Sequence, residues 1–172
     1  SGEVTRVTSS ESEDVVPSWS RDGRFLYFAS NRSGTWQVYR TSAEGGEVFQ
    51  VSVHGGFVAF EGEDAVYFTR HDEPGLWRIP RTHGAEAKVL DGPRCWGHWA
   101  LAPDGVYLLD VRPGAGTGLD FFAFASGRRT SLRTMAETAP CAESSLALSS
   151  DGQNLLYVAV EEASDILMAR VP

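Results

Sequence analysis

Four times along this chain a turn-forming pair leads into an aromatic and apolar run, and that recurrence limits the fold more than any other feature. Asp22-Gly23 precedes Phe25-Leu26-Tyr27-Phe28-Ala29-Ser30, and Glu63-Asp64 precedes Ala65-Val66-Tyr67-Phe68-Thr69. Asp104-Gly105 runs into Val106-Tyr107-Leu108-Leu109, and Asp151-Gly152 is followed by Leu155-Leu156-Tyr157-Val158. The anchoring aspartates at 22, 64, 104 and 151 are therefore 42, 40 and 47 residues apart. A period of roughly 40–45 residues is that of four-stranded propeller blades.

Each unit carries the other three strands at matching offsets. A first strand is expected over 15–19, 57–60, 96–101 and 145–148, ahead of each turn. Third strands are expected at Trp36-Gln37-Val38-Tyr39-Arg40, Leu76-Trp77-Arg78-Ile79, Leu119-Asp120-Phe121-Phe122-Ala123-Phe124 and Ile166-Leu167-Met168-Ala169. More polar fourth strands follow over 47–51, 87–90 and 130–132. Alternation is period-two and the runs are bounded by glycine-containing turns, so strands are expected throughout and no amphipathic helix. The stretch 134–144, interrupted by Pro140, reads as a longer loop between blades.

One four-stranded blade cannot bury both faces alone, so blades stack face to face. The fold expected is an all-β propeller of antiparallel four-stranded blades, a single segment over 1–172 with blades near 15–54, 57–92, 96–135 and 144–172. The last blade ends on a third strand, while residues 3–8, Glu3-Val4-Thr5-Arg6-Val7-Thr8, have the character of a fourth. Strand 3–8 is thus expected to close the last blade. That closure can join two chains by exchange of N-terminal strands, the arrangement favoured here. It can also make a single four-bladed ring, or be replaced by preceding blades of a longer protein.

Charge and composition narrow the function classes. A formal net charge of −8 argues against nucleic acid and anionic membranes, both of which need a basic footprint. No run approaches the roughly 18 apolar residues of a membrane span, and no charged-then-apolar leader opens the chain. The two cysteines, Cys95 and Cys141, form no metal-ligand spacing and no disulfide framework, and read as two partly buried free thiols.

Catalytic motifs are not found. The sequence Gly114-Ala115-Gly116-Thr117-Gly118 has the spacing of a phosphate loop, but a strand follows it where a dinucleotide site needs a helix, so a hairpin loop is expected. Histidines 54, 71, 83 and 98 sit singly, and His71-Asp72-Glu73 reads as a solvated turn, so neither metal nor cofactor is expected. Near the inner strands the ionisable candidates are Glu61, His98 and Glu143. Arg94, Trp96, His98 and Trp99 are the candidate ligand-binding residues, an aromatic and partly polar rim at the axial channel, with a structural role as the competing reading of His98.

The first unit also carries a family resemblance. Pro17-Ser18-Trp19-Ser20-Arg21-Asp22-Gly23-Arg24, followed by Phe28-Ala29-Ser30-Asn31-Arg32-Ser33-Gly34, resembles the repeat of TolB-like propellers, the WD-like propeller repeats of bacteria. Arg21 stands where that repeat has proline. Ala102-Pro103-Asp104-Gly105 and Ser149-Ser150-Asp151-Gly152 match the turn alone, and Glu63-Asp64 is degenerate. Asn31-Arg32-Ser33 fits a glycosylation sequon but coincides with the repeat's own turn. His54-Gly55-Gly56-Phe57, Pro74-Gly75-Leu76-Trp77 and Arg94-Cys95-Trp96-Gly97 are similar to the C-terminal propeller of winged-helix transcriptional regulators. The resemblance implies a non-catalytic propeller that binds or senses a protein or small ligand within a larger bacterial regulator. The alternatives are the accessory propeller of a peptidase or other hydrolase, and an assembly segment with no activity of its own. The compartment, cytoplasmic or periplasmic, stays open.

Overall fold

The computed structural model describes residues 2, 4–82, 84–112, 116–136, 139–141, 144–160 and 164–170. His83, Gly114, Ala115 and Glu143, which carry expectations above, lie outside the described residues, as does Glu3 of the N-terminal strand. The chain divides into two compact units, Ser1–Leu90 and Asp91–Pro172.

The first unit holds two antiparallel sheets of four strands in sequence order. One is β1 (Asp14–Trp19), β2 (Phe25–Ser30), β3 (Gln37–Ser42) and β4 (Val48–Gln50); the other is β5 (Ala59–Glu61), β6 (Ala65–Phe68), β7 (Leu76–Pro80) and β8 (Ala87–Leu90). Apolar side chains from facing sheets make its core: Tyr27 and Val38 of the first sheet against Ala59, Val66, Phe68 and Trp77 of the second. Strand β1 is bulged between Val15 and Ser18, with Val16 at φ 47°. A β-branched residue there is strained, and the bulge aims Ser18 Oγ at the carbonyl of Ala59, 2.6 Å away in the neighbouring sheet.

The second unit repeats the plan with β9 (Trp99–Ala102), β10 (Gly105–Arg112), β11 (Gly116–Ala123) and β12 (Arg128–Met135), then β13 (Leu146–Leu148), β14 (Asn154–Val160) and β15 (Ser164–Arg170). Its core joins Tyr107, Leu109 and Leu119 to Leu146, Leu155 and Tyr157. β10 and β11 form an antiparallel hairpin; of the glycine-rich stretch expected as its loop, Gly116, Thr117 and Gly118 are instead strand residues paired with Arg112, Val111 and Asp110, while Gly114 and Ala115 lie outside the described residues.

The turns explain why the aspartates mark the repeat. In the first sheet Ser20 Oγ donates to Asp22 Oδ1 at 2.7 Å and accepts the amide of Phe25 at 2.8 Å, while Asp22 Oδ1 accepts the amide of Arg24 at 3.0 Å. The fourth sheet rebuilds this arrangement with Ser149, Asp151, Gln153 and Asn154. Hydrogen bonds from the serines hold both carboxyls below the usual aspartate range. The Ser30-Asn31-Arg32 segment is likewise a turn: the amide of Gly34 donates to the carbonyl of Asn31 at 2.8 Å, and Arg32 pairs with Asp14 at 2.8 Å over the Phe28 and Tyr39 rings.

Two expectations need correction. Cys95 and Cys141 are joined in a disulfide, with Cα atoms 5.1 Å apart, and are not free thiols. Their separation of 46 residues hid the pairing, because no local pattern of residues brings positions that far apart together. Residues 4–8, expected as a strand, form none, and the last sheet has three strands among the described residues. Val7 and Thr8 instead lie against the first sheet, lining an apolar cleft of about 190 Å³ with Val15, Pro17, Leu26 and Phe28.

Candidate functional site

The four residues expected at a rim differ in exposure. His98 and Trp99 are fully buried, Trp96 is half-buried and Arg94 is exposed. His98 Nε2 lies 2.9 Å from the carbonyl of Pro140, which also accepts Ser145 Oγ at 3.0 Å, so this ring nitrogen carries the proton and donates. Burial pushes the imidazole below its ordinary range, which keeps it neutral. Trp99 Nε1 donates to the carbonyl of Trp96 at 3.1 Å. Beside the Cys95–Cys141 disulfide, His98 thus ties Pro140 to the start of β9. The ring is 1% exposed and its Nε2 is taken by the Pro140 carbonyl.

A cleft of about 540 Å³ opens instead at the turn end of the first two sheets. Strand β2 contributes Phe25 and Tyr27 to its wall, and β3 contributes Arg40, the cross-strand neighbour of Tyr27. The end of β5 supplies Glu61, the β5–β6 turn supplies Glu63 and Asp64, and Arg81 follows β7. Asp22 and Thr82 complete the lining.

Its centre is a buried carboxylate held from two sides. Tyr27 Oη donates to Glu61 Oε2 at 2.5 Å, and Arg81 lies 3.3 Å from Glu61 Oε1. Burial, then the neighbouring Glu61, pushes the Tyr27 phenol far above its ordinary range, so it keeps the proton it donates to Glu61, while Arg40 hydrogen-bonds the same phenol. Arg81 is fixed at its base as well: its amide donates to the carbonyl of Asp64 at 3.0 Å and Nη1 to that of Glu63 at 3.1 Å. Arg40 lies over the rings of Phe25 and Phe49 and leaves its guanidinium edge toward the cleft. Four carboxyl side chains against two guanidinium groups give the lining an acidic excess.

Of these residues sequence reading singled out Glu61 alone. Tyr27 and Arg81 were invisible as partners because their link to Glu61 spans two sheets. A weak signal did exist: Tyr27 and Tyr67 hold the same place in the repeat, each opposite an arginine, Arg40 or Arg78. Among the described residues no group of three or more histidine, cysteine, aspartate or glutamate side chains could hold a metal ion.

Successive antiparallel meanders that pack face to face through the aromatic residues of their second strands define a β-propeller segment. The model of the TolB beta propeller domain matches residues 1–136, and the chain belongs to that family. It is 34% identical over 95 residues to the uncharacterized protein Atu1656 of Agrobacterium fabrum, a match covering 53% of this chain and 32% of that one. In three dimensions it is similar to TolB of Acinetobacter baumannii, with TM-score 0.69 and 17% identity over 90% of this chain and 40% of the other. A puromycin-hydrolyzing peptidase of Mycobacterium tuberculosis matches at TM-score 0.67 and 13% identity, over 96% of this chain and 29% of that one. The chain thus spans well under half the length of these proteins.

Proposed function

We propose that this segment is a non-catalytic binding module, a part of a larger bacterial regulator that recognises a peptide or small ligand at the cleft between its first two blades. The observation that carries the reading is the state of the groups around Glu61. The buried carboxylate is satisfied by Tyr27 and Arg81, Arg81 is anchored on two carbonyls, and the Tyr27 phenol holds its proton. Such a constellation is preorganised and unreactive. It presents fixed polar groups between aromatic walls, which is how binding sites orient a ligand without transforming it. The acidic excess of the lining favours ligands with an ammonium or guanidinium group, for which Phe25 and Tyr27 offer apolar contact.

The test is amide chemical-shift mapping with short peptides of varied charge. Lysine- or arginine-bearing peptides are expected to perturb Tyr27, Arg40, Glu61 and Arg81 first, and Asp64→Asn with Glu63→Gln to weaken them about tenfold. Shifts confined to other surfaces would remove the cleft from the reading. Hydrolysis of those peptides, abolished by Glu61→Gln, would replace it with an enzymatic one.

A further inference from the structure

The fourth blade differs from the others in what its far face meets. Returning amides of Ala43, Arg81 and Phe124 donate to the carbonyls of Arg24, Asp64 and Asp104, which fixes equivalent positions in three blades. Counting from those bonds, Tyr27, Tyr67 and Tyr107 occupy one place in the repeat, and all three are buried. The amides of Ser20 and Ser149, donating to the carbonyls of Phe25 and Asn154, put Leu156 at that place in the fourth blade. Leu156 is 44% exposed. Its cross-strand partner Met168 is 69% exposed, and Ile166, paired with Val158, is 76% exposed. On the opposite face Leu155 and Tyr157 lie in the core. Strands apolar on both faces are made to be covered on both.

The repeat itself says what cover fits. Tyr27 is met by Val66 and Phe68 of the following blade, and Tyr107 by Leu155 of the blade after it. Leu26 and Phe28 are the first blade's equivalents of Val66 and Phe68. They line the apolar cleft that Val7 and Thr8 fill only in part. The far face of one chain's last blade and the near face of another's first blade are therefore the two halves of a contact this chain already makes internally.

We propose that two copies of this chain associate through that contact: Leu156, Ile166 and Met168 of one pack on Val15, Leu26 and Phe28 of the other. Residues 4–8 of the second copy add along β15 as the fourth strand of the last blade. Val4 is almost fully exposed and residues 4–8 carry no strand; exchange has to lift only Val7 and Thr8 from the first sheet. The β15 edge gains the backbone partners that an open edge lacks. The contact is heterologous, the last blade of one copy meeting the first blade of the other.

Light scattering on a sizing column tests this with the 172-residue chain. The expected mass is about twice 18.7 kDa. Ile166→Asp combined with Met168→Lys, both on an exposed face, is expected to return the chain to 18.7 kDa with its β spectrum intact. Removal of residues 1–8 is expected to weaken association about tenfold or more. A wild-type mass of 18.7 kDa at every soluble concentration overturns the proposal and leaves the face to further blades of a longer chain or to closure within one chain. A doubled mass that survives the paired substitution overturns it too, because another surface then joins the copies.

Discussion

Tyr27 and Glu61 meet across 2.5 Å between the second strand of one blade and the first strand of the next, phenol donating to carboxylate. The bond sits inside the packed stack, with Ser18 Oγ on the carbonyl of Ala59 beside it at 2.6 Å. It ties the two blades together at the wall of the cleft, which both residues line.

Loss of that donor has a direct cost. Tyr27→Phe leaves a buried carboxylate with Arg81 as its remaining side-chain partner, and stability is expected to fall by about 1–3 kcal/mol in urea denaturation. Glu61→Gln keeps an acceptor for the phenol. A double-mutant cycle between the two positions is expected to show coupling of about 0.5 kcal/mol or more, since the residues are in contact. Strict additivity would mean that the bond does not hold the blades.

The Cys95–Cys141 disulfide closes a loop between residues 46 apart. In the chain-entropy picture, cross-linking a loop of that size stabilises by about 4 kcal/mol, with less delivered where the reduced state keeps structure. Cys141→Ser, or reduction of the wild type, is expected to lower the urea midpoint by the equivalent of about 2–4 kcal/mol. Equal midpoints with and without reductant would show that the bond contributes nothing.

His98 gives the fold a pH dependence of definite sign. Its folded-state pKa lies below the unfolded value of 6.5, because burial disfavours the imidazolium. The unfolded chain therefore takes up the proton first. Stability is complete above about pH 6.5 and declines as pH falls from there toward the folded pKa, by at most about 1.4 kcal/mol per unit. The lowered carboxyls Asp14, Asp22 and Asp151 lose their contributions in a separate, more acidic window. His98→Gln is expected to flatten the profile between about pH 7 and pH 5, and an unchanged slope would place the effect elsewhere.

The matched turns offer an internal control. Ser20→Ala and Ser149→Ala remove the same pair of bonds from the first and fourth blades, and each is expected to cost about 1 kcal/mol. The second and third blades carry Gly62 and Ala102 near the start of this turn, and their turns close through backbone bonds such as Gly62 amide to Ala65 carbonyl at 2.8 Å. Unequal losses at Ser20 and Ser149 would show that the two turns are alike in geometry and not in energy.

Strand positions were largely legible in the sequence. Phe25–Ser30 and Ala87–Leu90 begin and end where the apolar runs and glycine turns put them. First strands were less well marked: three of them begin later than expected, at Ala59, Trp99 and Leu146, and in the first two cases apolar residues such as Phe57 and Trp96 occur in the loops before them. The candidate site was read poorly for a related reason. Aromatic and histidine content drew attention to 94–99, but composition is blind to which side of a strand faces the core, and His98 and Trp99 face it.

What the sequence determined by itself is everything that repeats locally: the 40-odd-residue period, the meander order and the aspartate turns, since each depends on neighbours a few positions apart. Tertiary structure alone decided the pairings that cross blades or long loops: Tyr27 with Glu61, Cys95 with Cys141, and His98 with Pro140. Those contacts depend on how one packed sheet meets another, a relation between surfaces that no short window of residues encodes.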